Sequence, residues 1–150
     1  MSDKVFHLLF LCTGNSCRSQ MAEGWARELA RQYGENWLAV ESAGIEAHGK
    51  NPRAIAVMQG AGLDISNQES TRLTDKMLAK TDLVVSVCGH ADENCPVLPE
   101  GTRKIHWPLD DPAKAAGTED DIMNVFEASR DDIHRRVDEL LNELKSEASL

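Results

Sequence analysis

The 150-residue chain is acidic, because 25 Asp and Glu outnumber 16 Lys and Arg and give a formal charge of −9. This length suits one domain with its own hydrophobic core, and we expect a single domain over residues 1–150. The hydrophobic fraction of 41% excludes a disordered chain, and the acidic balance argues against nucleic-acid binding. The longest apolar run, residues 5–11, is too short to span a bilayer. We therefore expect no membrane association and a cytoplasmic protein with reduced thiols.

The first half of the chain alternates between strand and helix patterns. Residues 5–11, VFHLLFL, form a short apolar run typical of a buried strand. From Ser19 the apolar residues recur with the period of a helix, and Gly34 is a favourable helix stop. A second short strand is predicted over residues 38–40, and Pro52 suits the first turn of the next helix.

The second half continues the alternation. Thr74 is predicted to cap a short helix that runs through Lys80, and residues 83–87 read as the best strand of the sequence. Another strand is predicted over 104–107, and a long amphipathic helix over about 119–144. Strands that alternate with helices predict an α/β fold, in which a parallel sheet has helices on both faces.

This fold class would bring three distant residues to one edge of the sheet. Cys12 follows the first predicted strand, Cys88 follows the strand at 83–87, and Asp111 follows the strand at 104–107. In parallel sheets, ligands bind beyond the carboxyl ends of the strands. We therefore expect these three side chains to share one site.

The loop after the first strand is predicted to bind an anion. Small and polar residues there allow successive backbone N–H groups to turn inward, and these residues are Thr13, Gly14, Asn15 and Ser16. Gly14 is expected to permit a backbone shape that a side chain would forbid. Arg18 adds a planar fork that binds two oxygens of an oxyanion at once.

Cys12 is the candidate nucleophile of this loop. Inward N–H groups, a helix N-terminus and Arg18 all favour its thiolate, and Ser19 can hydrogen-bond the sulfur. The alternative is a phosphate-binding loop without chemistry, in which Cys12 is a small buried hydrophobe.

The sequence resembles a known family in several stretches: CTGNSCRSQMAEGW, SAGIE, HGKNP, DISN, CGHADENCP and HWPLDDPA. These are similar to stretches of thioredoxin-coupled arsenate reductases, which share the fold and anion loop of low-molecular-weight tyrosine phosphatases. The resemblance runs from about residue 6 through Ala113. It implies a four-stranded parallel sheet flanked by helices, a monomer, and no cofactor. It also places one continuous set of residues around the oxyanion: Thr13, Gly14, Asn15, Ser16, Cys17, Arg18 and Ser19.

The same resemblance implies a relay of thiols. Cys12 would attack the arsenic of arsenate, with Asp111 as general acid, and phosphate or sulfate would compete as oxyanions. Cys88 would then attack the sulfur of Cys12 and release arsenite. Cys95 would pass the disulfide to Cys88–Cys95, where thioredoxin reduces it. Because Cys12 and Cys88 must approach within bonding distance, we expect the 88–95 segment to move during turnover.

Several interpretations remain open beside the relay. Asp111 is preferred to Asp110 as the acid because the family pattern places the acid directly before a proline, here Pro112, although an ordinary turn is the alternative. Four thiolates spaced Cys-x4-Cys and Cys-x6-Cys are an alternative zinc site. Cys17 is interpreted as a loop-shaping residue that the relay does not require.

Some relatives carry a potassium site to which Asn15 and Ser42 would contribute. Glu69 and Thr71 stand here where those relatives have threonine and aspartate, so we assign no metal.

Two other functions compete with the reductase. A phosphatase acting on phosphotyrosine needs only Cys12, Arg18 and Asp111. The phosphatases of this kind usually have tyrosines near Asp-Pro, where this chain has Ala113-Lys114. A sensor of oxyanions or redox state is the non-enzymatic alternative, and no signalling element in the sequence favours it.

Overall fold

Parallel strands form the sheet of the protein: β1 (Phe6–Cys12), β2 (Leu38–Gly44), β3 (Leu83–Ser86) and β4 (Arg103–His106). The computed structural model describes residues 5–34 and 37–148, apart from the side chain of residue 148. In this part of the chain the strand order is β2-β1-β3-β4. The predicted α/β fold, a parallel sheet of four strands flanked by helices, is confirmed.

Helices connect and cover the strands: α1 (Arg18–Gln32), α2 (Pro52–Gly60), α3 (Asp75–Lys80), α4 (Gly89–Glu93) and α5 (Glu119–Ala148). A short 3₁₀ helix, Pro112–Lys114, precedes α5. Helices α1 and α5 pack on each other, and α1 also packs against β1 and β2. The rings of Trp25 and His134 stack between the two helices with their centroids 3.7 Å apart. Among the described residues, no helix combines the length and apolar character needed to cross a membrane.

The local signals that predicted the helices act as expected. The Thr74 hydroxyl accepts a hydrogen bond from the Met77 N–H at 3.1 Å and caps α3. Pro52 occupies the first turn of α2, and Gly34 adopts a positive φ of 67° directly after α1. Each of these residues satisfies or relieves backbone groups that a helix end leaves without partners.

The strand boundaries differ from the predictions in instructive ways. β1 begins and ends one residue later than predicted, so Cys12 is the last residue of β1 rather than the first of the loop. β4 begins and ends one residue earlier than predicted. β2 continues to Gly44 instead of ending at residue 40. It continues because its small residues pair in register with the end of β1, as Cys12 does with Gly44.

The register of the central strands positions the site. β1 and β3 are neighbours, Leu11 pairs with Ser86, and the Val87 N–H donates to the Leu11 carbonyl at 2.9 Å. Cys12 and Cys88 therefore leave the sheet at the same edge. The chain proceeds from β1 to β2 on one side and reaches β3 on the other, so this edge contains the topological switch point.

Candidate active site

A cleft of about 790 Å³ opens at the switch point between β1 and β3. It is bounded by the loops that follow β1, β3 and β4, as expected for a ligand site in a parallel sheet. The cleft is lined by residues of all three loops and by His48 from outside them: Cys12, Thr13, Gly14, Ser16, Cys17, Arg18, His48, Cys88, Gly89, His90, Leu109, Asp110, Asp111, Ala113 and Lys114. The structure therefore brings Cys12, Arg18, Cys88 and Asp111 together.

The backbone of the loop after β1 turns its carbonyl groups away from the cleft. The carbonyl oxygens of Thr13, Gly14 and Ser16 accept hydrogen bonds from backbone N–H groups of segment 46–51, at 2.8, 2.9 and 3.1 Å. In a trans peptide the N–H points opposite to the carbonyl, so the following N–H groups face inward. The N-cap residue of α1, Cys17, makes no side-chain cap bond, and the first turn contains no acidic residue. This arrangement leaves donors for an anion.

The strained residue of the loop is Asn15 rather than Gly14. Asn15 has a φ of 49°, in the left-handed region, whereas Gly14 is not among the residues of positive φ. The left-handed conformation of the loop is therefore supplied by Asn15, whereas a side chain is disfavoured at Gly14 by its surroundings. Glycine is needed there for space, because an added Cβ would lie 2.4 Å from the Nδ1 of His48.

The side-chain amide of Asn15 orients the hydroxyl that contacts the nucleophile. Its Nδ2 donates to the Ser19 hydroxyl at 2.8 Å and to the Ser42 hydroxyl at 2.9 Å. Because Ser19 accepts from Asn15, its own proton is available to the Cys12 sulfur, 2.8 Å from the hydroxyl. Ser42 donates in turn to the buried carboxylate of Glu23. A directed chain of hydrogen bonds therefore ends on Cys12 and supplies a donor to its sulfur.

The carbonyl of the same amide is held by two donors. The Thr71 N–H reaches the Asn15 Oδ1 at 2.7 Å, and the fully buried Gln20 Nε2 reaches it at 3.1 Å. Gln68 donates to the Gln20 Oε1 at 2.8 Å and so fixes the orientation of that side chain. The amide thus has partners on both sides, which holds Asn15 in its unusual backbone conformation.

Arg18 links the anion loop to the loop that carries the candidate acid. Its Nη1 donates to the Leu109 carbonyl at 3.0 Å, and its Nη2 lies 3.7 Å from the Asp111 carboxylate. The other oxygen of Asp111 accepts the Ala113 N–H at 3.0 Å, so the carboxyl group caps the 3₁₀ helix. These contacts hold both side chains in the lining of the cleft.

Cys88 is buried, and it is the N-cap residue of α4. Its sulfur accepts the Ala91 N–H at 3.3 Å and lies 3.2 Å from the Thr13 hydroxyl. Because Thr13 directly follows Cys12 in the chain, this contact joins the two thiol-bearing loops.

Cys95 lies outside the cleft. It is half-buried beyond the end of α4, and it does not line the cavity that contains Cys12 and Cys88. The pKa of its thiol is raised above the ordinary value, chiefly by burial. The positive charge of Lys104 acts to lower this pKa, and the negative charge of Asp92 acts to raise it. The three thiols of the expected relay are therefore divided, with two in the cleft and one beside it.

Cys17 is set apart from the other thiols by its surroundings. Burial, together with the negative charge of Asp111, raises its pKa from the ordinary 9.0 to about 11. It is thus protonated at neutral pH, which agrees with a role in shaping the loop rather than in attack.

The positions of the cysteines and of Asn15 and Ser42 bear on the zinc and potassium sites considered above. In the described part of the chain, no group of three or more His, Cys, Asp or Glu could hold a metal ion, and Cys95 is absent from the cleft lined by the other thiols. The oxygens of Asn15 and Ser42, the candidate ligands of a potassium ion, take part in the hydrogen bonds described above.

Comparison with known proteins identifies the family. Residues 7–150 match the model of the low molecular weight phosphotyrosine protein phosphatases. The chain belongs to this family. It is 50% identical over 137 residues to an arsenate reductase of Halalkalibacterium halodurans, covering 91% of this chain and 94% of that protein. It is 49% identical over 139 residues to an arsenate reductase of Bacillus subtilis, covering 93% and 96%.

Solved structures agree with the assignment. The structure of an arsenate reductase in the phosphate binding state superposes with a TM-score of 0.73 at 33% identity, covering 93% of this chain and 98% of that one. A low molecular weight protein tyrosine phosphatase from T. tengcongensis superposes with a TM-score of 0.78 at 23% identity, covering 92% and 99%. The second likeness shows the fold alone.

Sequence reasoning missed several residues that build this phosphatase-family site. His48 lines the cleft and fills the space beside Gly14, and the Leu109 carbonyl holds Arg18. Gln20 supports Asn15 from the first turn of α1. A glutamine two residues after Arg18 was the one signal in the sequence, since the other contacts join distant segments.

Proposed function

We propose that the protein reduces arsenate to arsenite with Cys12 as nucleophile, Cys88 and Cys95 as relay thiols, and thioredoxin as reductant. One observation carries the proposal: two thiols, Cys12 and Cys88, line the same anion-binding cleft as Arg18 and Asp111. Phosphoryl transfer needs only one of these thiols. The arsenate reductases that are about half identical to this chain support the same reading.

In the first step, the Cys12 thiolate attacks arsenic and forms a sulfur–arsenic bond. Inward N–H groups and Arg18 neutralise the oxyanion, so that an otherwise acidic protein receives a negative substrate. The Asp111 carboxyl gives its proton to the departing oxygen, which leaves as water. Phosphate and sulfate, which share the shape of arsenate, compete for the same anion-binding loop.

In the second step, the Cys88 thiolate attacks the sulfur of Cys12. The sulfur–arsenic bond breaks and its electron pair stays on arsenic, which leaves as arsenite, while a Cys12–Cys88 disulfide forms. Cys12, seated among hydrogen-bond donors, is a good leaving group in the exchange that follows.

In the third step, Cys95 attacks the sulfur of Cys88 and expels Cys12 as a thiolate. Because Cys95 lies outside the cleft, segment 88–95 must rearrange for this attack. The resulting Cys88–Cys95 disulfide leaves the cleft for a more exposed position, where thioredoxin reduces it.

The relay is tested by measuring arsenate-dependent oxidation of thioredoxin in wild type and in single thiol variants. Cys88→Ser and Cys95→Ser should each abolish multiple turnover, whereas Cys17→Ser, a matched loss of a thiol, should retain it. After one equivalent of arsenate, peptide mapping of Cys95→Ser should reveal a Cys12–Cys88 disulfide. Arsenite release at the wild-type rate without both relay thiols would disprove the relay.

Phosphatase activity is the second candidate function, favoured by the family match and by the Cys12–Arg18–Asp111 set in the cleft. The position after Asp-Pro carries Ala113 and Lys114, which offer no aromatic surface to a phosphotyrosine ring. We expect aryl phosphate hydrolysis to be slow beside arsenate reduction. Dominant hydrolysis in a side-by-side assay would reverse this ranking.

A further inference from the structure

One carbonyl of the anion loop is held by a side chain instead of by the backbone. The carbonyls of Thr13, Gly14 and Ser16 accept backbone N–H groups, as described above. The Asn15 carbonyl accepts a hydrogen bond from the Gln20 Nε2 at 3.2 Å. Because the N–H of a trans peptide points opposite to its carbonyl, this bond directs the Ser16 N–H away from Gln20. Gln20 is fully buried and does not line the cleft, whereas Ser16 does, so this N–H points towards the cleft.

The amide nitrogen of Gln20 faces oxygen acceptors on every side. Besides the Asn15 carbonyl it lies 3.1 Å from the Asn15 Oδ1 and 2.9 Å from the Glu69 carbonyl. Gln68 donates to the Gln20 Oε1 at 2.8 Å and to the Gln20 backbone carbonyl at 3.0 Å, which fixes the opposite end of the amide. A side chain without N–H groups at position 20 would leave these buried oxygens short of a donor.

We propose that Gln20 is a positioning residue of the oxyanion site, which holds the peptide between Asn15 and Ser16 so that the Ser16 N–H binds the substrate. This inference rests on the proposed function, because arsenate is the oxyanion concerned. The peptide follows a residue with a φ of 49°, a conformation that persists only where its surroundings hold it. The Thr71 N–H contacts the side-chain oxygen of Asn15, whereas Gln20 also holds the backbone carbonyl.

The first experiment measures the Kd of inorganic phosphate by titration calorimetry in the full-length, reduced protein. Gln20→Met keeps the length of the side chain and removes its N–H groups, so the peptide after Asn15 loses its restraint. A hydrogen bond to a charged ligand contributes at least a factor of about ten to affinity, and the Kd should rise about tenfold in this variant. An unchanged Kd in a folded Gln20→Met protein would overturn the proposal.

Thr81→Val is the matched control for the loss of a buried hydrogen bond. Thr81 is buried, its hydroxyl donates to the Met77 carbonyl at 2.7 Å, and it precedes β3 at the edge of the sheet opposite to the cleft. Valine keeps the shape of threonine and lacks the hydroxyl. Both variants should lose stability in urea unfolding, and only Gln20→Met should bind phosphate more weakly. An equal rise of the Kd in both variants would count against a specific role of Gln20 and overturn the proposal.

The second experiment measures kcat and KM for arsenate with thioredoxin in excess. The Ser16 N–H contacts the oxyanion both before and after Cys12 attacks, so it contributes to the binding of substrate and transition state alike. Loss of such an interaction raises KM and leaves kcat nearly unchanged. In Gln20→Met we therefore expect KM to rise about tenfold, in parallel with the Kd of phosphate. A purely structural defect would reduce the fraction of active protein, so kcat would fall at constant KM, and the proposal would be overturned.

A milder variant keeps the proposal testable if Gln20→Met does not fold. Gln68→Leu removes the donor to the Gln20 Oε1 from a half-buried position and leaves Gln20 itself in place. Its Kd for phosphate should rise about threefold, and an unchanged value would overturn the proposal. If wild type did not reduce arsenate, the proposed function would fail, while the phosphate titrations would still decide whether Gln20 positions the anion loop.

Discussion

At the scale of single residues, Cys12 and Cys17 show how position separates two thiols of one loop. The Cys12 sulfur lies 2.8 Å from the Ser19 hydroxyl at the base of the anion cradle. Cys17 is buried beside Asp111, and its pKa rises to about 11. The same loop therefore contains one thiol with a hydroxyl donor at its sulfur and another whose charged form is opposed by burial and by Asp111.

The raised pKa of Cys17 predicts a loss of stability in alkaline solution. Below pH 9 the thiol is protonated in both folded and unfolded chains, so its contribution is fully present. Between pH 9 and 11 the unfolded chain loses this proton while the folded one retains it, and stability falls by roughly 2–3 kcal/mol.

Urea unfolding of wild type and Cys17→Ala over this pH range measures the effect. Lysines and Tyr33 titrate alike in both proteins, so the difference between the two curves isolates Cys17. Wild type should lose more stability than the variant as the pH rises. Curves that remain parallel would contradict the prediction.

At the scale of elements, the end of β2 shapes the anion loop through Gly44. Its N–H donates to the Thr71 carbonyl and its carbonyl accepts the Leu73 N–H, both at 2.8 Å. A Cβ added there would lie 2.2 Å from the Glu46 carbonyl oxygen and 2.7 Å from the Asn15 nitrogen. These are backbone atoms, which cannot move aside as a flexible side chain does.

Gly44→Ala should therefore destabilise the protein and displace the anion loop. We expect a loss of about 3 kcal/mol, the upper range for overpacking, and about a 100-fold fall in kcat/KM for arsenate. The matched control is Gly60→Ala at the end of α2, where the added Cβ would meet only Arg130 at 3.7 Å. That variant should gain about 0.4–1 kcal/mol and keep full activity. Equal stabilities of the two variants in urea unfolding would refute the steric argument.

The elements that the sequence predicted best have strong local signals. β1 and β3 are apolar runs, and α1 and α5 have helical periodicity, so their existence depends little on neighbours. The last residues of β2 are small or polar, and they stay in the sheet because they pair with β1 and, at Gly44, with segment 71–73. Helix α4 has Cys88 at its N-cap instead of a typical capping residue, so its sequence carries only a weak local helix signal.

The candidate site also combines residues with local sequence signals and residues supplied by distant segments. Cys12, Arg18 and Ser19 belong to one continuous motif, and the rule on strand ends in parallel sheets predicted that Cys88 and Asp111 would join them in the cleft. Residues supplied by distant segments were not predictable from spacing, because their contacts arise only when the chain is folded. His48 beside Gly14, Gln20 on Asn15 and Leu109 on Arg18 are of this kind.

At the scale of the whole molecule, the strand order determines where the thiols of the proposed relay lie relative to the cleft. β1 and β3 are adjacent, so the loops carrying Cys12 and Cys88 meet in one cleft, where the oxyanion enters. The chain then leaves this cleft through α4 and reaches Cys95 at its side before β4 begins. In the proposed relay, oxidation therefore moves from an enclosed cradle to a surface that a protein partner can reach.

The surface next to Cys95 is where we expect thioredoxin to dock. Val97 is 97% exposed and lies two residues beyond Cys95, between Pro96 and Pro99. Val97→Asp would remove the apolar side chain that a partner buries, so the KM for thioredoxin should rise about tenfold. Formation of the Cys88–Cys95 disulfide with arsenate should stay unchanged. Val5→Asp is the matched control, because Val5 precedes β1 at the opposite edge of the sheet from Cys12. An unchanged KM in Val97→Asp would mean that the reductant approaches the disulfide from another side.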